Sequence, residues 1–282
     1  MNSVLHPLLD DLIDVHLDRV EVPGGALAVL RAGAGPTVLL VPGFTGSKED
    51  FRLLLAPLAQ AGFSAVALDQ RGQFQSPGPD DLGAYDVDVL ARDLLAVVAQ
   101  VGAPVHLVGH SFGGLVARAA VLADPAAFCS LTLMSSGPAG LTGPRIALVA
   151  LMKPLLEQGM PELVEAMDAM NAADARHLAL DASLQGFLRD RMLASSARGL
   201  LGMAVGLEHE PDRVDALRQT GVPVLVLHGA DDDAWAPSLQ AEMAGRLGAA
   251  HAVVDAAAHS PAVEQPAATA AALVAFLAGL PR

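Results

Sequence analysis

The chain is poor in several residue types, and each shortage closes off an interpretation. There is one cysteine, Cys129, among 282 residues. A lone thiol forms no internal disulfide and builds no cysteine-rich metal site. It stands in Phe128-Cys129-Ser130-Leu131, at the entry to an apolar run, which predicts a buried, inert thiol. Basic residues are scarce: 17 Lys and Arg face 31 Asp and Glu, for a formal charge of −14. Such a chain repels phosphate backbones and anionic lipid, so neither nucleic acid nor a membrane surface is an expected partner. Long hydrophobic runs are missing as well. The most apolar late stretch, Ala267 to Leu280, is too short to span a bilayer. The first residues have no basic segment leading into an apolar one, and Asp10, Asp11 and Asp14 interrupt the early hydrophobics, so no signal peptide is expected. These absences predict a cytoplasmic protein; a small-molecule substrate and a monomer or homodimer are the further expectations.

What is present is an apolar, globular composition, 52% hydrophobic, in a chain long enough for a sizeable core. Short β-rich runs stand at His16–Val22, Ala26–Arg31, Thr37–Val41, Ser64–Leu68, Val105–Val108, Leu131–Met134, Val224–His228 and Ala252–Asp255. The middle runs are apolar without alternation, as strands buried on both faces are. Helical spacing separates them: Ser47 to Ala61 with Glu49 and Asp50 in its first turn, Asp86 to Gln100, Phe112 to Ala123, Pro237 to Leu247 and Pro261 to Leu277. Strand alternating with helix predicts a doubly wound α/β fold: a mostly parallel, eight-stranded sheet covered on both faces. The rhythm stops between Gly137 and about Pro211, where Met, Leu and Ala accumulate and no strand run occurs. We expect a core domain of residues 1–136 and 212–282, with residues 137–211 inserted as a helical cap. Its methionines (Met152, Met160, Met167, Met170, Met192, Met203) are expected mainly as core filler, with a pocket role as the less favoured reading.

The strongest local signal is Gly109-His110-Ser111-Phe112-Gly113, a G-x-S-x-G pattern that leaves an apolar strand and opens a helix. A sharp turn there lifts the Ser111 hydroxyl above the sheet, and the flanking glycines avoid steric clash. A hydroxyl is a poor nucleophile alone; it needs a base, an acid to orient the base, and donors for the oxyanion. His259 is the base candidate, because it follows the last strand run and precedes the last helix, at the carboxyl end of the sheet where ligands bind. His106 lies inside a strand, His110 is the variable position of the turn, His228 ends a strand, and His177 and His209 fall in or near the cap. The acid comes from Asp231-Asp232-Asp233, after the strand Val224–Leu227. Asp232 is favoured as one buried member between two solvated ones. The oxyanion donors are expected to be the backbone N–H groups of Phe112, at a helix N-terminus, and of Phe44, in the turn Pro42-Gly43-Phe44-Thr45-Gly46. No metal or organic cofactor is needed. Phe44, Phe112 and Trp235 are the expected pocket residues, and their apolar character predicts an uncharged, hydrophobic ester.

Four segments together resemble the α/β-hydrolase superfamily. They are Val41-Pro42-Gly43-Phe44, similar to its H-G-x oxyanion turn; Asp69-Gln70-Arg71-Gly72-Gln73, similar to its D-x-R-G-x-G loop; the G-x-S-x-G turn; and Gly229-x-x-Asp232 with His259-Ser260-Pro261. The resemblance implies that Asp232, three residues after Gly229, is the acid rather than Asp231 or Asp233, and that residues 137–211 correspond to a variable lid. Two positions depart from the pattern: Pro42 replaces the usual His, and Gln73 is taken as the replacement of a usual Gly. A Ser nucleophile argues against the epoxide hydrolases and haloalkane dehalogenases that resemble this fold but use Asp. It leaves carboxylesterases first. Lactonases, C–C bond hydrolases and cofactor-free haloperoxidases use the same triad, and a catalytically silent binding homologue is the reading outside enzymes.

Overall fold

A computed structural model describes residues 15–173 and 178–280. The N-terminal residues that bear on a signal peptide, and His177, lie outside these. Eight strands form one sheet: β1 (His16–Val22), β2 (Gly25–Ala32), β3 (Thr37–Val41), β4 (Ser64–Leu68), β5 (Val105–His110), β6 (Phe128–Met134), β7 (Val224–Gly229) and β8 (Ala250–Val254). Their order across the sheet is β1-β2-β4-β3-β5-β6-β7-β8. Only the β1–β2 and β2–β4 pairs are antiparallel; from β4 to β8 every pairing is parallel. The sheet is therefore mostly parallel, as the apolar runs predicted.

Alternating side chains of one strand feed two separate cores. In β3, Leu39 and Val41 face one core while Val38 and Leu40 face the other, the two-residue period of a pleated strand. The first core is closed by α2 (Val87–Val101) and α3 (Phe112–Ala123), through Leu90, Leu94 and Leu115. The second is closed by α1 (Arg52–Gln60) and the C-terminal helix, through Leu54, Leu58 and Leu273. Strands with a core on each side carry no polar face, which is why the middle runs do not alternate.

Element ends differ from the sequence reading in ways the backbone explains. The expected helix Pro261 to Leu277 is two, Pro261–Glu264 and Pro266–Ala278. Pro266 has no N–H to donate and forces Gln265 out of the helical region, to φ −139° and ψ 62°. The first expected helix opens with a tight turn at Lys48–Phe51 before α1. The last strand sits at Ala250–Val254 rather than Ala252–Asp255. Cys129 is half-buried instead of buried, and its partial burial pushes the thiol pKa up.

Between β6 and β7 the described residues contain no strand. Four longer helices fill the interval: α4 (Gly143–Gln158), α5 (Met160–Asn171), α6 (Ala182–Ala194) and α7 (Ala197–His209), followed by the short Val214–Gln219 helix. Met160, Met192 and Met203 are buried in the first core, Met152 and Met167 line a cavity, and Met170 is exposed. No helix among the described residues is long and apolar enough to cross a membrane.

Candidate active site

β5 ends at His110, and the chain turns through Ser111 at φ 54°, ψ −122° before α3 begins at Phe112. A non-glycine residue at positive φ is strained, and such strain concentrates where the structure holds a side chain for use. The glycines on either side are dictated by space. A Cβ on Gly109 would fall 2.4 Å from the Gly113 carbonyl oxygen, and one on Gly113 would fall 2.4 Å from that of Pro42. Only hydrogen fits between the turn, the helix and the neighbouring strand end.

Three side chains distant in sequence meet at this turn. His259 Nε2 lies 3.0 Å from Ser111 Oγ, and His259 Nδ1 lies 3.0 Å from Asp232 Oδ1. With the ring proton on Nδ1, the imidazole donates to the carboxylate and accepts from the hydroxyl. Asp231 and Asp233 are exposed, and Asp233 pairs with Arg145; Asp232 is the buried member of the three. Its Oδ1 also accepts the Ala234 N–H at 3.0 Å, and its Oδ2 accepts from Gln240 Nε2 at 2.9 Å. Burial alone raises the Asp232 pKa, but the hydrogen bond and charge of His259, with the bonds from Ala234 and Gln240, outweigh it. The carboxyl is held below its ordinary value.

His110 supports His259 from behind, a role no sequence signal suggested. Its Nε2 donates to the His259 carbonyl oxygen at 2.8 Å. Burial, then the neighbouring His259, lowers its pKa to about 4, so at neutral pH it is an uncharged donor.

The turn Pro42-Gly43-Phe44 faces Ser111: a Cβ on Gly43 would lie 3.1 Å from Ser111 Cβ and 3.5 Å from its Oγ. Two glutamines hold this turn by its carbonyls. Gln70 Nε2 donates to Pro42 O at 2.9 Å, and Gln73 Nε2 donates to Gly43 O at 2.6 Å and to Phe44 O at 3.1 Å. Gln73 Oε1 accepts the Gln70 N–H at 3.1 Å, which fixes the orientation of the amide. The Gly43 carbonyl and the Phe44 N–H belong to one planar trans peptide and point in opposite directions. Anchoring the carbonyl therefore aims the N–H. This corrects the reading of Gln73 as a displaced glycine: counted along D-x-R-G-x-G, the second glycine falls on Phe74. Phe74 keeps the backbone of that position, at φ 39°. Its ring lies 4.8 Å from the Lys48 ammonium and edge-on to Phe187.

A cavity of about 460 Å³ opens over Ser111 and His259. Phe44 lines it, with Met152, Met167, Leu184, Phe187 and Leu207 from the four helices above. The other two expected pocket side chains are elsewhere. Phe112 is fully buried in the first core. Trp235 is 2% exposed, and its indole N–H donates to Ala139 O at 3.1 Å. Among the described residues no group of three or more His, Cys, Asp or Glu side chains is placed to hold a metal ion.

Comparison with known proteins places the chain in a family. The model of the alpha/beta hydrolase family matches residues 38–272. The chain belongs to the α/β-hydrolase family. Among curated proteins it is 26% identical over 200 residues to bifunctional epoxide hydrolase 2 of Sus scrofa, covering 67% of this chain and 34% of that protein. It is 39% identical over 103 residues to the putative carbamate hydrolase RutD of Variovorax paradoxus, covering 36% of this chain and 38% of that one. The matches thus span little more than a third of either relative. Among solved structures, an esterase from Exiguobacterium antarcticum superposes with a TM-score of 0.79 at 20% identity, covering 93% of this chain and 99% of that one. An enol-lactonase from Burkholderia xenovorans LB400 superposes with a TM-score of 0.78 at 21% identity, covering 93% and 100%. At that identity these likenesses speak for the fold. The names of this α/β-hydrolase's relatives span several substrates.

Proposed function

We propose that this α/β-hydrolase is a serine hydrolase that cleaves a carboxylic ester or related acyl bond through an acyl-enzyme. The observation that carries the reading is the chain of two 3.0 Å contacts from Ser111 through His259 to Asp232. His259 takes the Ser111 proton as the hydroxyl attacks the acyl carbonyl. The oxyanion is held by the Phe44 and Phe112 N–H groups; as the first residue of α3, Phe112 has no acceptor one turn earlier within its own helix. His259 then protonates the departing alcohol, and water, activated by the same imidazole, releases the acid. Asp232 fixes the tautomer and stabilises the imidazolium. In this reading residues 137–211 form a lid that keeps bulk water from the cavity.

Several of the relatives are named epoxide hydrolases, yet the residue at the nucleophile turn here is Ser111. The acyl reading follows from that hydroxyl, because an alkyl-enzyme ether, unlike an acyl ester, offers water no carbonyl to attack. Lactone or C–C bond hydrolysis would use the same three side chains. The test is labelling with a fluorophosphonate and turnover of para-nitrophenyl esters. Wild-type enzyme labels and turns over, and Ser111→Ala does neither, losing roughly 10⁴- to 10⁶-fold in kcat. An unlabelled, inactive wild type would leave a binding homologue instead. Turnover confined to a lactone and diketone panel would move the assignment to those classes.

A further inference from the structure

The charge on the cavity wall is opposite in sign to that of the protein. The chain carries 31 acidic against 17 basic residues, while the described residues lining the cavity include Arg52, Arg145 and Arg191 and one carboxylate, Asp50. Arg191, on α6, is 9% exposed. Its Nη1 donates to Asp50 Oδ1 at 2.6 Å, and its guanidinium carbon lies 5.5 Å from the centre of the Phe187 ring. A guanidinium has five N–H donors and a strong preference for planar carboxylates. Only one of the five is engaged by Asp50, and Nε is buried without a partner. Asp50 is itself satisfied on its other oxygen by the Ser47 N–H, at 3.1 Å. Arg52 reaches only a backbone carbonyl, that of Glu49 at 3.5 Å, and has no carboxylate partner among the described residues. Arg145 is paired with Asp233, which is exposed. The remaining wall is largely apolar, so the cationic groups act through a low dielectric.

We infer that the substrate carries a carboxylate on its acyl side, with its methylene chain along Met152, Leu184 and Phe187 and its charged end at Arg191. This rests on the acyl-hydrolase reading above and names its substrate class. The expectation of an uncharged ester came from Phe44, Phe112 and Trp235 as apolar pocket walls. Phe44 lines the cavity, but Phe112 and Trp235 are in the core, and the wall carries arginines beside its apolar side chains. The acyl side is assigned by order of events. The alcohol leaves first, whereas the acyl group stays bonded to Ser111, so a contact made by the acyl side at Arg191 is kept through both steps.

The test compares para-nitrophenyl hemiadipate with para-nitrophenyl hexanoate, which share a six-carbon acyl chain and differ in the terminal charge. The expected kcat/KM favours the hemiadipate by about 10- to 100-fold, the range of a charge-assisted hydrogen bond, and the preference shrinks as salt rises. Arg191→Met brings the ratio of the two kcat/KM values towards one, and Arg191→Lys restores part of it. Because Arg191→Met leaves the half-buried Asp50 without its cation, the half-exposed Arg52→Gln serves as a second variant, and it lowers the ratio about threefold. Equal or faster hydrolysis of the hexanoate by wild type, or a ratio that survives both substitutions, overturns the inference and leaves the acyl-hydrolase reading standing. Failure of both esters together with failure of fluorophosphonate labelling overturns both.

Discussion

Gln73→Leu removes the amide that touches two carbonyls of the turn facing Ser111. The structure separates its two effects. The Gly43 oxygen keeps the Gly46 N–H at 3.1 Å, whereas the Phe44 oxygen loses the Gln73 donor and gains none. The Phe44 carbonyl and the Gln70 N–H are both left without the Gln73 side chain, which costs about 2 to 4 kcal/mol and lowers the melting temperature of a chain this size by roughly 5 to 10 °C. The second effect is on rate. Deleting an oxyanion donor outright costs ~10²- to 10³-fold in kcat. Here the Phe44 N–H stays in place but loses one of its fixings, since Gln70 still holds Pro42 O at 2.9 Å. A loss of about 10- to 100-fold in kcat is expected, near 1.4 to 2.8 kcal/mol, with KM within about twofold because the turn's donor acts on the transition state. Steady-state kinetics on a para-nitrophenyl ester, alongside a thermal melt, reads both. If the melt falls while kcat is unchanged, or if the whole loss appears in KM, Gln73 is structural and the peptide-plane reasoning is wrong.

Two further substitutions probe the polar chain behind Ser111. Asp232→Asn leaves shape and packing in place but donates where an acceptor is needed, so kcat should fall by about 10⁴-fold while KM holds; a loss under tenfold would remove Asp232 from the mechanism. His110, with its pKa lowered from 6.5 to about 4, is neutral in the folded chain and protonates more readily when unfolded. Its contribution to stability is therefore fully present above pH 6.5 and is lost as pH falls towards 4, by up to about 3 kcal/mol. His110→Gln keeps a donor for the His259 carbonyl and does not titrate. Its melting temperature should fall less steeply between pH 6.5 and 4 than that of wild type, and parallel curves would show that His110 does not carry the dependence.

The local chain was enough for some of this architecture. Apolar runs such as Thr37–Val41 specify strands covered on both faces, because a strand with no polar face has nowhere wet to point. The glycines at 109 and 113 mark a turn too tight for side chains. The spacing of Ser111, Asp232 and His259 relative to strand ends could also be read, since strand ends in a parallel sheet share one edge. The tertiary structure decided what depends on direction. Phe112 and Trp235 are as apolar as Phe44, but only Phe44 points into the cavity; the other two complete the core. Gln73, Gln70 and Gln240 carry no pattern in sequence, because a buried amide declares itself only through the carbonyls or carboxylate it meets. Arg191 sits in a helix of unremarkable charge, and its pairing with Asp50, 141 positions away, arises from packing α6 over the turn. Sequence sets which groups are available and how each segment is bent. Which faces meet, and so what charge a cavity presents, is settled only when distant segments close on one another.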